Sequence, residues 1–175
     1  TSASSQIVAE VERNIGCMAH GEGVEQIVLA EGVERGLIEY VDLAPDYLRH
    51  LGELIDLENI RRAKLKVIVD SMYGAGAGYF RRILGGGKLD IVEINGERNP
   101  LFPEVQPEPI ASNLTKLSAV IKDEQADVGL ATDGDADRLG IVDEEGTFLT
   151  PLDVFALLAL YFLDVCNQRG AIVKT

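Results

Sequence analysis

Three carboxylates, Asp133, Asp135 and Asp137, alternate along Thr132-Asp133-Gly134-Asp135-Ala136-Asp137-Arg138. Carboxylates this close repel one another, so a fold that draws them together needs a cation to tolerate it. Hard oxygen ligands select Mg2+ or Ca2+ over softer metals. Gly134 and Ala136 are small and let the backbone curl, so that the three side chains can reach one point. Arg138 beside them offers a fixed guanidinium fork suited to phosphate. A divalent ion next to an arginine is a pair that phosphoryl chemistry uses. The competing reading is a solvated acidic turn, the ordinary fate of charged residues. The position directly after an apolar strand favours a ligand site, because ligands of open α/β sheets lie beyond the carboxyl ends of strands. A calcium EF-hand is excluded: the three aspartates fit its first, third and fifth places and Glu144 its twelfth, but the sixth holds Arg138 where glycine is required. The flanks also read as strands, not helices.

A second pattern is Gly74-Ala75-Gly76-Ala77-Gly78, with Glu93 downstream. It is similar to a dinucleotide-binding turn, in which a ribose-binding acid follows about 20 residues on. Tyr79 stands where the third glycine belongs, so a tight turn that packs closely on the sheet is the favoured reading. A nucleotide-binding module of Rossmann type remains the alternative. A third segment, Arg98 to Pro103 continuing through Pro107-Glu108-Pro109, is a loop held by prolines that carry no chemistry themselves. His20 and His50 have no companion ligand, and Arg81-Arg82 reads as a solvated helix face.

The elements that must position these residues form two stretches. Over the first third, Ile7, Val8, Val11, Ile15 and Met18 recur at helical spacing, and Gly21, Gly23, Gly32 and Gly36 break the pattern. Leu37 to Val41 reads as a short strand. Pro45 opens a second helix with Leu48, Leu51, Leu54 and Ile55 on one face, and Arg61 to Lys64 reads as a connector. From Leu65 the character changes. Strands are expected at Leu65–Asp70, Leu89–Ile94 and Val128–Thr132, and helices at Tyr79–Leu84 and Ile110–Ile121. Leu139–Asp143 and Thr147–Leu149 flank Glu144-Glu145-Gly146 as a hairpin. Thr150-Pro151-Leu152-Asp153 starts a helix by cap, proline and acidic first turn. Val154 to Leu163 is apolar but short of the roughly 20 residues of a membrane span, so it reads as a buried core helix. Ala171 to Lys174 looks like a strand. The order predicts a three-layer α/β/α domain with a mixed, mostly parallel sheet, preceded by a mainly helical segment. The expected divisions are 1–64, 65–170 and 171–175.

Composition narrows the class. The chain has 175 residues, 46% hydrophobic and 26% charged, which is globular rather than disordered. A net charge of −13 argues against nucleic-acid or anionic-membrane partners. Cys17 and Cys166 lie far apart in sequence and form no metal or redox spacing, which mildly favours a reducing, cytoplasmic location.

The acidic loop in its setting resembles the metal-binding loop of the α-D-phosphohexomutase superfamily, the phosphoglucomutase and phosphomannomutase proteins. Val67 to Gly76 looks like the opening strand and glycine turn of that family's second domain. Phe102-Pro103 and Pro107-Glu108-Pro109 look like its proline loop, and Asp133 to Asp143 like its metal loop and following strand. The resemblance covers about Leu65 to Lys174. It implies a phosphotransferase-type isomerase that interconverts sugar 1-phosphates and 6-phosphates through a phosphoserine and a bisphosphate. Asp133, Asp135 and Asp137 would then bind Mg2+, and Arg138 would hold phosphate. No Thr-Ala-Ser-His-Asn-Pro-like serine motif is present, and neither is a Gly-Glu-x-Ser-Gly sugar loop. The expectation is an interior fragment, inactive alone, whose partners are a phosphosugar and the remaining domains of its parent. Another Mg2+-dependent phosphotransferase is the further alternative, although Asp70-Ser71-Met72 lacks the Asp-x-Asp pair of an aspartyl nucleophile.

Overall fold

Val67, Ile68 and Val69 are β-branched and find cover on both faces, so Lys66–Asp70 (β1) takes the centre of a sheet. The computed structural model describes residues 3–19 and 26–173. It divides into two compact units, Thr1–Pro45 and Asp46–Thr175. In the first unit the helices are Ser5–Ala19 (α1) and Leu29–Glu34 (α2). Helix Ala44–Leu54 (α3) crosses the division, and Leu57–Arg62 (α4) follows in the second unit.

The second unit holds a five-stranded sheet in the order β2-β1-β3-β4-β5. Here β2 is Asp90–Ile94, β3 Val128–Thr132, β4 Leu139–Asp143 and β5 Phe148–Leu149. β1 pairs in parallel with β2 and β3, while β4 and β5 add antiparallel. This is the mixed α/β sheet expected from the sequence. Register sets Asp70 opposite Ile94 and Ala131, so three strands end on one rim. Helix Tyr79–Leu84 (α5) links β1 to β2. A 3-10 turn at Ala111–Asn113 and helix Thr115–Glu124 (α6) link β2 to β3. The core lies where Leu117 and Ile121 of α6 meet Ile68, Ala131 and Val142 of the sheet, closed by Met72 and Leu114.

Several expectations are corrected. Leu37 to Val41 forms no strand: the Leu37 and Ile38 amides donate to Gly32 O, so the backbone closes a helix end instead of entering a ladder. Gly32 does not break a helix but lies inside α2, where Ile38 packs over it. Gly21, Gly23 and His20 lie outside the described residues. Arg61 and Arg62 are not a connector; they end α4, which Asp56 caps by accepting from Asn59 N at 2.9 Å. Ala171 to Val173 is not a strand, and Lys174 lies outside the described residues. The apolar helix Pro151–Leu160 (α7) starts as expected, with a capping box between Thr150 and Asp153. It is not a buried core helix, however. None of its residues is buried, and it runs into a π turn at Tyr161–Val165. Among the described residues no helix is long and apolar enough to cross a membrane.

Candidate functional site

β3 delivers Asp133 to the rim with its side chain nearly enclosed, while Asp135 and Asp137 stand exposed in the following turn. One carboxylate oxygen from each lies within 4.8 Å of the other two. The turn is closed by Ala136 N donating to Asp133 O at 3.2 Å and Arg138 N donating to Asp133 Oδ1 at 3.1 Å. Ala136 sits at φ 64°, a left-handed conformation that a larger side chain would resist. Crowding of negative charge shows in Asp137. Its carboxyl is held above the usual aspartate range, first by a hydrogen bond shared with Asp133 and then by the charges of Asp135 and Asp133, with Arg138 opposing.

Arg138 is fixed on three sides. Its Nη1 donates to Glu108 Oε1 at 3.2 Å, and its Nε lies 3.8 Å from Asp133 Oδ2 and 3.7 Å from Asp137 Oδ1. Its side chain is still 63% exposed, so one edge of the fork faces solvent beside the carboxylates. Glu108 has a role that sequence reasoning missed. The signal available was its place between Pro107 and Pro109, which fixes the backbone that carries it.

The glycine turn and the proline loop pack on this loop from either side. Ala75 N donates to Gly134 O at 3.0 Å. A Cβ on Gly74 would lie 2.7 Å from Gly134 O and 2.8 Å from Asp133 O, and one on Gly76 would lie 2.6 Å from Thr132 Oγ1. Gly134 N donates to Pro107 O at 3.1 Å, and Phe102 and Pro107 cover the Gly134 Cα. The crevice between β1 and β3, where the strand order reverses and a nucleotide would enter, is therefore filled by the protein's own backbone. Glu93 is also committed: its Oε1 accepts from Ser71 Oγ at 2.6 Å and from Gly78 N at 2.8 Å. The close-packing reading of the glycines holds, and the nucleotide-module alternative finds no free ribose acid here.

Asp70 is buried at the end of β1. Its Oδ1 accepts from Met72 N and from Asn95 Nδ2, both at 2.9 Å. It caps a turn, and burial holds its carboxyl above the usual range. Lys116 Nζ continues the chain to Asn95 Oδ1 at 2.7 Å and Glu104 Oε2 at 2.9 Å. Left-handed residues other than glycine concentrate here. Met72, Tyr73, Asn95, Phe102 and Ala136 all follow the carboxyl ends of parallel strands, whereas among the described residues only Gln125 and Asn167 lie elsewhere. Strain gathered on one rim marks a site whose geometry the surrounding packing enforces. His50, by contrast, is exposed beside Glu53 on α3, away from any such cluster.

Comparison with known proteins points the same way. Residues 45–146 match the model of phosphoglucomutase/phosphomannomutase, alpha/beta/alpha domain II. A protein of Methanococcoides burtonii named "Probable phosphoglucosamine mutase" is 37% identical over 117 residues, covering 67% of this chain and 26% of the relative. The phosphoglucomutase/phosphomannomutase of Thermococcus kodakarensis is 33% identical over 161 residues, covering 87% of this chain and 34% of the relative. A crystal structure of a phosphoglucomutase/phosphomannomutase family protein from Burkholderia thailandensis superposes with a TM-score of 0.63 at 28% identity, covering 73% of this chain and 27% of that one. The chain thus spans about a quarter to a third of the length of the relatives it matches.

Proposed function

The chain belongs to the phosphoglucomutase/phosphomannomutase family, and on that footing we propose that its acidic loop is the Mg2+ site of a phosphohexomutase. The observation that carries this reading is the gathering of Asp133, Asp135 and Asp137 oxygens within 4.8 Å, beside a guanidinium braced by Glu108. The donor set fits the ion: three carboxylates and no nitrogen or sulfur suit a hard, oxygen-seeking dication. When bound, the ion supplies charge neutralisation to a phosphoryl group in transfer. The chain's own residues do the rest. Asp133, half of whose carboxylate is tied to the Arg138 amide, orients the loop. Asp135 and Asp137 supply exposed oxygens. Arg138 offers its exposed edge to a phosphate oxygen while Glu108 holds it in place.

The proposed parent reaction is the interconversion of sugar 1-phosphate and 6-phosphate through a phosphoserine and a bisphosphate, in the cytoplasm. The present residues include no serine in the required motif, so this piece is proposed to supply the ion and phosphate contacts without turnover of its own. Residues 1–64 would then close a preceding domain, 65–170 form the metal domain, and 171–175 open the next. Phosphosugar and the other domains of the parent are the proposed partners.

The test is a set of melting curves with and without millimolar Mg2+, for the wild type and Asp135→Asn. Wild type should gain melting temperature with Mg2+ by mass action. Asp135→Asn should fold well, since it relieves repulsion, yet lose the gain. Equal stabilisation of both proteins would return the loop to a solvated acidic turn.

A further inference from the structure

The opposite rim of the sheet carries a second group of charges that the acidic loop does not use. Between the end of α4 and the turn after α5 lies an open pocket of ≈ 620 Å³, lined by Arg61, Arg62 and Lys88, by Glu58, and by the glycines at 85–87. In a chain of net charge −13, such a concentration of cations is unusual. Only one carboxylate lines the pocket, and it is taken: Glu58 Oε1 accepts from Arg61 Nη1 at 2.8 Å. Arg62 and Lys88 form no ion pair among the described residues.

The group is rigid. Arg61 Nη2 donates to Ile83 O at 2.7 Å, which locks the guanidinium in place. Its Nε–H is buried without an acceptor and lies out of reach of a ligand in the pocket, so Arg61 acts here through its charge and its anchored position. Lys88 N donates to Arg61 O at 2.7 Å, and Gly87 lies so close to Arg61 O that no Cβ would fit. These contacts bring the Lys88 backbone against the end of α4. Gly86, at φ 85°, turns the chain left-handed, and neither its amide nor that of Gly87 donates to any described group. Free backbone amides in such a turn favour an anion. The carbonyl ends of α4 and α5 oppose it, but both helices are short and Ile60, Arg61 and Arg81 O already accept hydrogen bonds.

We infer that Arg61, Arg62 and Lys88, with the Gly86 and Gly87 amides, form a binding site for a small phosphate dianion. It precedes β1 and β2, whereas the acidic loop follows β3, so strands of roughly 16 Å at about 3.3 Å per residue separate the two rims. The site is thus independent of the proposed Mg2+ loop. Its test is a titration of the isotopically labelled chain with inorganic phosphate, read at the Gly86 and Gly87 amides by NMR. A parallel titration with sodium chloride at matched ionic strength is the control. Saturable shifts with phosphate and not chloride are expected, and Arg62→Gln with Lys88→Gln should weaken apparent affinity at least tenfold. Both side chains are exposed, and the same spectra report whether the fold is intact. Shifts that chloride reproduces in the wild type, or an unchanged affinity in the folded double variant, would overturn the site. The Arg138 amide, followed in the same spectra, reports separately on phosphate at the acidic loop.

Discussion

Hydrogen bonds from Met72 N and Asn95 Nδ2 favour the charged form of Asp70, but burial outweighs them and raises its carboxyl above the ordinary value. A group raised in the folded state contributes stability that is fully present below its unfolded value and lost as pH rises through its folded value. Wild type should therefore lose melting temperature through this group as pH rises from the carboxylate range toward neutrality. Asp137 shifts in the same direction, while Glu104 and Asp153 shift downward and oppose it. The informative quantity is thus the difference between wild type and Asp70→Asn. The amide oxygen can still accept both hydrogen bonds and carries no charge, so the variant should show the shallower fall. Identical slopes in thermal melts from pH 4 to 7 would show that burial of Asp70 carries no charge cost.

At the scale of elements, the glycine turn and the acidic loop act as one packed body. Gly74→Ala would drive a Cβ into the carbonyl oxygens of Asp133 and Gly134, which are backbone atoms with little room to move. We expect a loss of about 1–3 kcal/mol, the usual cost of overpacking, measured by denaturant unfolding, together with weakened Mg2+ stabilisation. A fully stable variant with unaltered Mg2+ response would uncouple the two loops. The strands at 66–70, 90–94 and 128–132 and the hairpin after them were legible because their signals are local: β-branched runs, the turn chemistry of Glu144-Glu145-Gly146 and the Thr150 cap. The acidic residues were legible because their spacing is local too. What was not legible depends on partners distant in sequence. Glu108 meets Arg138, and Glu93 meets Ser71 and Gly78, only after the sheet has formed. The error at Leu37–Val41 has the same cause, since β propensity records a preference for a pleated surface and no strand among the described residues pairs with this segment.

For the whole molecule, the largest departure is α7. Its hydrophobic run looks like core, yet Leu157, Leu158 and Leu160 are each more than half exposed, and Tyr161, Phe162 and Val165 continue the apolar surface into the π turn. Beside it, Phe148, Leu149, Val154 and Phe155 line an apolar groove of ≈ 640 Å³. Isolated exposed leucines are ordinary, but a continuous apolar face of this kind is expected to associate with another apolar surface. Water around it costs free energy in proportion to its area, roughly 25 cal/mol per Å², and a second apolar face of any origin lowers that cost. Purified chain should therefore self-associate as its concentration rises, seen as a growing weight-average mass in light scattering. Leu157→Lys with Leu160→Lys should reduce that growth while leaving the melting temperature nearly unchanged, because neither side chain is buried. A wild type that remains strictly monomeric at high concentration and binds no hydrophobic dye would mean that α7 refolds against its own unit in solution. The double variant would then lose stability instead of gaining solubility.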